Sequence, residues 1–403
     1  MTNRTIIIIA VALIAVLAIL VNTILQEHSL RARLDKAIQA LDSDDPGALA
    51  GARTILDEHR NRALPLLVNA TTDRNETRRA NAVNVLGTFA PYLTEKQRAE
   101  AVKAISTRLN DIDPQVRKAA VLALTRDFKH GPCSDSLQTI SGADADVEVR
   151  MAALTGLGCI GGTEETQFLV KKLDSKDDHI VVAASHGLGL TGRADALRAL
   201  LKALKSKRGL AIHTEQLIAV AALAGDLKVK GGALNGEVID ALDELFRKTN
   251  PDTLRIQGHV DMTGGLASPE PWEFLLTLLN AYHEWGHGEK IKLFFERIGT
   301  TTGEERRMYE DAVSKFIYNM LTEGLIRGEE IKVVVEMSEA DTKLMLFISK
   351  ELIDLIETES RDFALKNLRA ITRLNFGGDV VRWREQYEKW ATGREKFKVE
   401  PLK

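Results

Sequence analysis

The sequence predicts an all-α protein: an α-solenoid of short stacked helix pairs, with one N-terminal transmembrane helix and a helical C-terminal cap. Three observations lead there. First, a stripe of small and aliphatic residues recurs, as RRANAVNVLG at 78–87, DPQVRKAAVLAL at 113–124, VRMAALTGLG at 149–158 and IVVAASHGLG at 180–189. Aligned on Leu86, Leu124, Leu157 and Leu188, the copies lie 38, 33 and 31 residues apart, the length of two short helices with their turns. One such pair cannot bury its apolar face alone, so neighbours must stack. Second, hydrophobic residues make up 44% of the chain and aromatic residues only 5%, which suits closely packed Ala- and Leu-rich helices and gives little support to strands. Third, the first helix of each pair opens behind an acidic residue, at Asp113, Asp146 and Asp178, whose carboxylate can accept from the orphan amides of the first turn.

From the N-terminus, Thr5 to Leu25 is an uncharged stretch of 21 residues. As a helix rising ~1.5 Å per residue it reaches across a hydrocarbon core of ~30 Å, and the expectation is an uncleaved single-pass anchor over residues 1–28. A cleaved secretion signal is the competing reading; the run is long for one, and no small-residue cleavage site precedes Gln26-Glu27-His28. The four-residue positive tail ending in Arg4 favours an N-terminus inside the cell. That places the protein in the inner membrane with its bulk on the periplasmic side.

The helix pairs follow over residues 29–285. Leu30 to Leu41 is an amphipathic helix that Asp42-Ser43-Asp44-Asp45-Pro46 stops. The pairs then run 48–59 with 63–71, 75–89 with 95–109, 113–128 with 134–141, 147–173 and 179–204. Helical patterns return at 235–248, 252–265 and 271–282, and the glycines of Lys228 to Gly236 predict a loop. After Ala222 the Ala-Ala stripe fades. Longer helices at 304–322 and 329–357 mark residues 286–403 as a separate helical region.

The motif Asp-x-x-Val-Arg-x-Ala-Ala-x-x-Ala-Leu, at 113–124, resembles the HEAT repeat in its short bacterial, phycobilisome-lyase-like form, and the resemblance covers residues ~46–206. It implies a scaffold that binds proteins along its groove. Asn375-Phe376-Gly377-Gly378-Asp379-Val380-Val381-Arg382-Trp383 resembles in part the Phe-Gly-x-Asp-x-x-x-Trp ending of some membrane-anchored bacterial HEAT-repeat proteins. Physically, Gly377 and Gly378 permit a turn, and Asp379 can cap a helix that carries Trp383, Tyr387 and Trp390 on one face. Packing against the preceding helix and an exposed docking face are the two readings of those rings.

Chemistry has fewer footholds. His283-Glu284-Trp285-Gly286-His287 fits the pattern in which two histidines one helical turn apart bind zinc and a glutamate activates water. The extended pattern would need Gly and His at positions that hold Lys290 and Leu293. Two Gly-x-Gly-x-x-Gly runs, at 156–161 and 187–192, each follow a helix where a dinucleotide site needs a strand, and repeat packing explains them. His186 and His213 read as core or groove histidines. Cys133 and Cys159 read as buried small hydrophobes, with a disulfide as the alternative in an oxidising compartment. A net charge of −3, from 54 basic and 57 acidic residues, argues against nucleic acid as a partner. The basic cluster Lys202, Lys205, Lys207 and Arg208 reads as solvated helix surface.

The functional expectation is therefore a membrane-anchored, non-catalytic scaffold or structural subunit without a cofactor. Its protein partner would bind a groove along the second helices, at Leu169, Lys171, Lys172, Leu197, Arg198, Leu201 and Lys205, and at the face of Trp383, Tyr387 and Trp390. The alternative is a membrane-bound zinc hydrolase with His283 and His287 as ligands and Glu284 as base.

Overall fold

The computed structural model describes residues 3–43, 45–227, 232–249, 270–323, 325–327, 332–334 and 339–399. They divide into two compact units, Met1–Ile160 and Gly161–Lys403.

The first unit holds α1 (Asn3–Gln39), α2 (Pro46–Glu58), α3 (Arg60–Ala70), α4 (Glu76–Phe89), α5 (Glu95–Thr107), α6 (Pro114–Leu122), α7 (Ser134–Ala143) and α8 (Val147–Ile160). Helices α4, α6 and α8 pack in one row, and α3 packs on α5 in a companion row. This is the alternation that the repeat length requires. The starts are set locally: Asp45 accepts from the Gly47 amide at 2.9 Å, Asn75 from Arg78 at 2.9 Å, Asp113 from Gln115 at 2.9 Å and Asp146 from Val149 at 3.0 Å. Thr94 and Gln97 form a reciprocal capping box on α5. The stripe residues are the seam, for Ala82, Leu86, Ala120, Leu124, Ala153 and Leu157 are all fully buried.

A second device joins successive repeats. Arg79 donates to both oxygens of Asp111 at 3.0 and 2.8 Å, and Arg117 to both oxygens of Asp144 at 2.8 and 2.7 Å. Each arginine sits four residues after a capping residue and reaches the aspartate two residues before the next cap. That aspartate also accepts from the amide of its own cap, Asp113 or Asp146, at 3.1 and 2.9 Å. The paired fork fixes the register of one turn against the next.

The transmembrane anchor, and with it the single-pass, inner-membrane placement, is corrected: among the described residues no helix is long and apolar enough to cross a membrane. Helix α1 runs on unbroken through Glu27, Arg31, Arg33, Asp35 and Lys36. There Leu34 and Ala37 are buried, and Glu27 pairs with Arg62 at 2.9 Å, so this end of α1 is the opening helix of the stack.

The second unit holds α9 (Thr163–Lys172), α10 (Asp178–Leu190), α11 (Ala194–Ala203), α12 (Leu210–Ala222), α13 (Ala224–Leu227), α14 (Gly232–Lys248), α15 (Pro271–Glu284), α16 (Ile291–Thr300), α17 (Gly303–Glu323), α18 (Glu339–Asp354), α19 (Arg361–Thr372) and α20 (Val380–Ala391). Alternate helices again stack, α10 on α12, α12 on α15, α15 on α17 and α17 on α19. The other row includes α9 on α11, α11 on α14, α16 on α18 and α18 on α20, with Phe246 of α14 meeting Phe294 of α16 at 5.0 Å between ring centres. The two-row order thus continues past Ala222. What changes is the filling, since Phe274, Tyr282, Trp285, Phe294, Tyr309, Phe316 and Trp383 are almost fully buried here, where the repeats use mostly Ala, Val and Leu with Phe89 and Phe128.

Three local expectations shift. Asp177, not Asp178, caps α10, accepting from His179 at 3.0 Å, while Asp178 pairs with Arg208 at 3.1 Å. The glycine loop is shorter than read, because α14 already begins at Gly232. The helix read over 329–357 begins at Glu339; Lys332–Val334 is a short strand antiparallel to Leu325–Arg327, with Ile326 opposite Val333. The β-branched Val333 and Val334 favour that state. The helix read at 252–265 lies outside the described residues.

Candidate functional site

The zinc-type motif falls on the end of α15, which stops at Glu284 with Trp285 as its C-terminal cap and Gly286 at φ +84°. His287 therefore leaves the helix, and the one-turn spacing that would aim both imidazoles at one ion is broken. His283 Nε2 lies 2.9 Å from Asp341 Oδ1 and edge-on to the Phe316 ring. His287 Nδ1 lies 3.3 Å from Glu289 Oε1, and its Nε2 is buried without a partner among the described residues. Glu284 is exposed. Among the described residues no group of three or more His, Cys, Asp or Glu side chains could hold a metal ion.

The glycine runs are packing devices. A Cβ at Gly156 would come 2.8 Å from Thr125 Cγ2, and one at Gly189 would come 3.0 Å from Ala219 Cα. Their last members, Gly161 and Gly192, take φ +73° and +64° just past the ends of α8 and α10, the left-handed turn that glycine adopts without strain. His186 pairs with Glu215 at 2.6 Å. Cys133 and Cys159 are both free thiols; burial pushes the Cys133 thiol up to about 11, and so keeps it protonated and inert.

The basic residues of the proposed groove separate into two kinds. Arg198 is paired with Glu237 at 3.0 Å, and Lys205 with Glu244 at 3.0 Å. Glu244 also takes Lys248 at 2.7 Å, and the hydrogen bonds from Lys248 and Lys205 hold its carboxyl down to about 2. Lys171 is exposed, and Lys172 has its ammonium 4.9 Å from the Phe168 ring centre. Neither has a carboxylate partner among the described residues, so these two cations remain available.

The C-terminal rings are corrected from docking face to core. Trp383 is fully buried, donates from Nε1 to the Gly377 carbonyl at 3.0 Å, and meets Phe376 edge-on. Trp390 is buried against Phe397, and Tyr387 is half-buried. The cause is the turn that the glycines permit: Gly377 at φ +56° folds Phe376 back onto the helix that Asp379 caps.

Sequence reasoning missed two polar constructions. Asp243 accepts from the Tyr282 hydroxyl at 2.8 Å and also binds the Lys290 ammonium, a long-range set with no local signal. Arg208, read as solvated surface, donates to the Ser175 carbonyl at 2.6 Å and to Asp178, bracing the turn before α10.

No family model matches the chain, and no curated protein matches it. Among solved structures it is similar to an engineered protein, at TM-score 0.35 and 15% identity over 84% of this chain and 99% of that one. It is similar also to the CpcE–CpcF complex of phycocyanin lyase from Nostoc sp. PCC7120, at TM-score 0.35 and 17% identity over 70% of this chain and 94% of that one. A third is Kap121p, at TM-score 0.42 and 13% identity, of which the chain spans 40% with 90% of its own length. At such scores the two rows of helices, and not the likeness, define the fold.

Proposed function

We propose that the chain is a non-catalytic, HEAT-type helical scaffold that holds a protein partner against the second helices of its pairs. The observation that carries this reading is the stacking of helix pairs in two rows within each unit, an arrangement that spreads a long surface from small repeated parts. The presence of Lys171 and Lys172 without carboxylate partners on α9 supports an acidic patch on the partner, because forming that contact breaks no existing ion pair. The test is purification of the tagged full-length chain with mass spectrometry of stoichiometric co-eluting protein, repeated for Lys171→Glu with Lys172→Glu. A partner captured by the parent chain and lost from the double variant, with unchanged helicity, supports the reading. Undiminished capture by the variant removes α9 as the contact, and the absence of any stoichiometric partner sinks the scaffold.

A further inference from the structure

A cavity of about 530 Å³ lies along α17, flanked by residues of α15 and α19. Its lining belongs wholly to the second unit and to the row of helices that does not carry Lys171 and Lys172. Helices α17 and α19 run side by side in one register, since Arg306 meets Glu359 and Ser314 meets Asn367, each pair 53 residues apart. Asn367 is only 4% exposed and donates from Nδ2 to Ser314 Oγ at 3.0 Å and to the Phe363 carbonyl at 2.9 Å. That clamp fixes the long wall of the cavity before any ligand arrives.

The lining sorts along α17. Its later turns are apolar, with Ile317 and Leu321 as a sealed floor and Trp272, Tyr318 and Ala370 around them. Its earlier turns bring Asp311 and Lys315, and the same 53-residue offset sets Lys366 level with position 313. Two observations point to a ligand. First, this unit seals its other tryptophans: Trp285, Trp383 and Trp390 are buried, and the first two donate their indole N–H to the Val220 and Gly377 carbonyls. Trp272 is only half-buried, its N–H has no acceptor among the described residues, and Tyr318 on the same cavity is 49% exposed. Second, Lys315 and Lys366 are exposed and, like Asp311, make no ion pair among the described residues; the Lys315 ammonium lies 4.8 Å from the Tyr318 ring centre, which holds it on the cavity wall. Open rings beside uncancelled cations are anchors for a bound group.

We propose that this cavity binds the carboxyl terminus of a protein whose last residue is large and apolar. The terminal side chain lies on Leu321 against Trp272 and Tyr318, the carboxylate takes the ammonium groups of Lys315 and Lys366, and the last amide N–H donates to Asp311. The reach is right, because Lys315 and Leu321 are separated by ~9 Å of helix rise, a span that a terminal Phe and a flexible lysine stem cover together. A free acid of the same shape has no N–H for Asp311 and leaves that carboxylate facing another anion. An internal segment brings no charge for the two lysines. This inference is independent of the contact proposed for α9, and its failure leaves that contact untouched.

The experiment titrates the full-length chain with the N-acetylated tetrapeptide Ala-Ala-Ala-Phe bearing a free carboxyl end, read by tryptophan emission and by calorimetry. Of the four tryptophans only Trp272 is not buried, so a saturable blue shift that is lost in Trp272→Phe locates the peptide. Amidating the carboxyl end, replacing the last residue by Ala, or supplying 3-phenylpropionate instead should each weaken binding about fivefold or more. Lys315→Glu with Lys366→Glu, two exposed changes, should do the same at unchanged helicity, and so should Ala370→Leu, which fills the cavity. A peptide that does not saturate, an amide or phenylpropionate that binds equally well, a shift that persists in Trp272→Phe, or an unchanged affinity in the double lysine variant would overturn the assignment.

Discussion

The two units solve one packing problem with different materials. In the first, Ala, Val and Leu fill most of the seam, with Phe89 and Phe128 among them, and such smooth surfaces carry little information about register; the arginine forks from Arg79 to Asp111 and from Arg117 to Asp144 supply it. In the second, no arginine occupies the position after Asp177 that Arg117 holds after Asp113, since Val181 stands there. The turn is braced instead by Arg208, largely through backbone carbonyls. Farther along, register comes from interlocking rings, with Trp285 Nε1 donating to the Val220 carbonyl at 3.0 Å. Small-residue repeats need polar clips, whereas a core of large aromatics specifies its own alignment by shape.

That contrast can be broken at several points. Trp285→Ala leaves the largest void and strips a buried carbonyl of its donor, so a loss of ~3–5 kcal/mol is expected in denaturant unfolding. Hydrogen exchange should place the loss in the second unit, and equal loss of protection in α4 and α6 would undo the distinction.

Arg117→Met should cost roughly 2–3 kcal/mol, because Asp144 is nearly buried and loses a two-pronged partner. The same fork has a pH signature. Burial alone would raise the Asp144 carboxyl, but the Arg117 hydrogen bonds, the Asp146 amide and the neighbouring charges outweigh it and hold the pKa below its ordinary value; Asp111 behaves alike with Arg79. A depressed folded-state pKa means stability that is complete above the unfolded value of ~4 and is lost as pH falls through the folded one. Melting temperatures of the parent chain should therefore drop below pH ~4, and Arg117→Met should flatten that drop. An identical acid profile in the variant would show that the fork is not the titrating element.

Glycine replacement gives a smaller and more discriminating effect. Gly189→Ala meets the backbone of α12, which cannot rotate away, whereas Gly156→Ala meets the Thr125 side chain, which can. A cost of ~1–2 kcal/mol is expected for Gly189→Ala and less for Gly156→Ala; the reverse order would mean that α12 yields more easily than Thr125. Least of all, Lys171→Glu with Lys172→Glu should move stability by no more than ~0.5 kcal/mol, which keeps its effect on partner capture interpretable.

The helix pairs over residues 46–206 were legible because their signals are local: a capping residue, a stripe at helical spacing, a glycine after the last turn. Even the arginine fork was written in the chain, since Arg79, Asp111, Arg117 and Asp144 keep fixed offsets from their caps. The membrane placement rested on the length of one apolar run, and among the described residues no helix is long and apolar enough to cross a membrane. The strand at Lys332–Val334 was missed because a run too short to show a period depends on the partner opposite it. The site was less legible than the fold. Lys171 and Lys172 could be named, but only the structure separated them from Arg198 and Lys205, which spend their charge on Glu237 and Glu244. Trp383 followed the same rule, because an aromatic stripe at helical spacing has the same pattern whether it faces a partner or its own core.

Sequence by itself determined most of the helices and caps of the repeats, since each follows from interactions within a few residues or between regularly spaced ones. Only the tertiary structure decided which charges are cancelled and which rings are sealed, because those depend on contacts between residues whose separation in the chain carries no period.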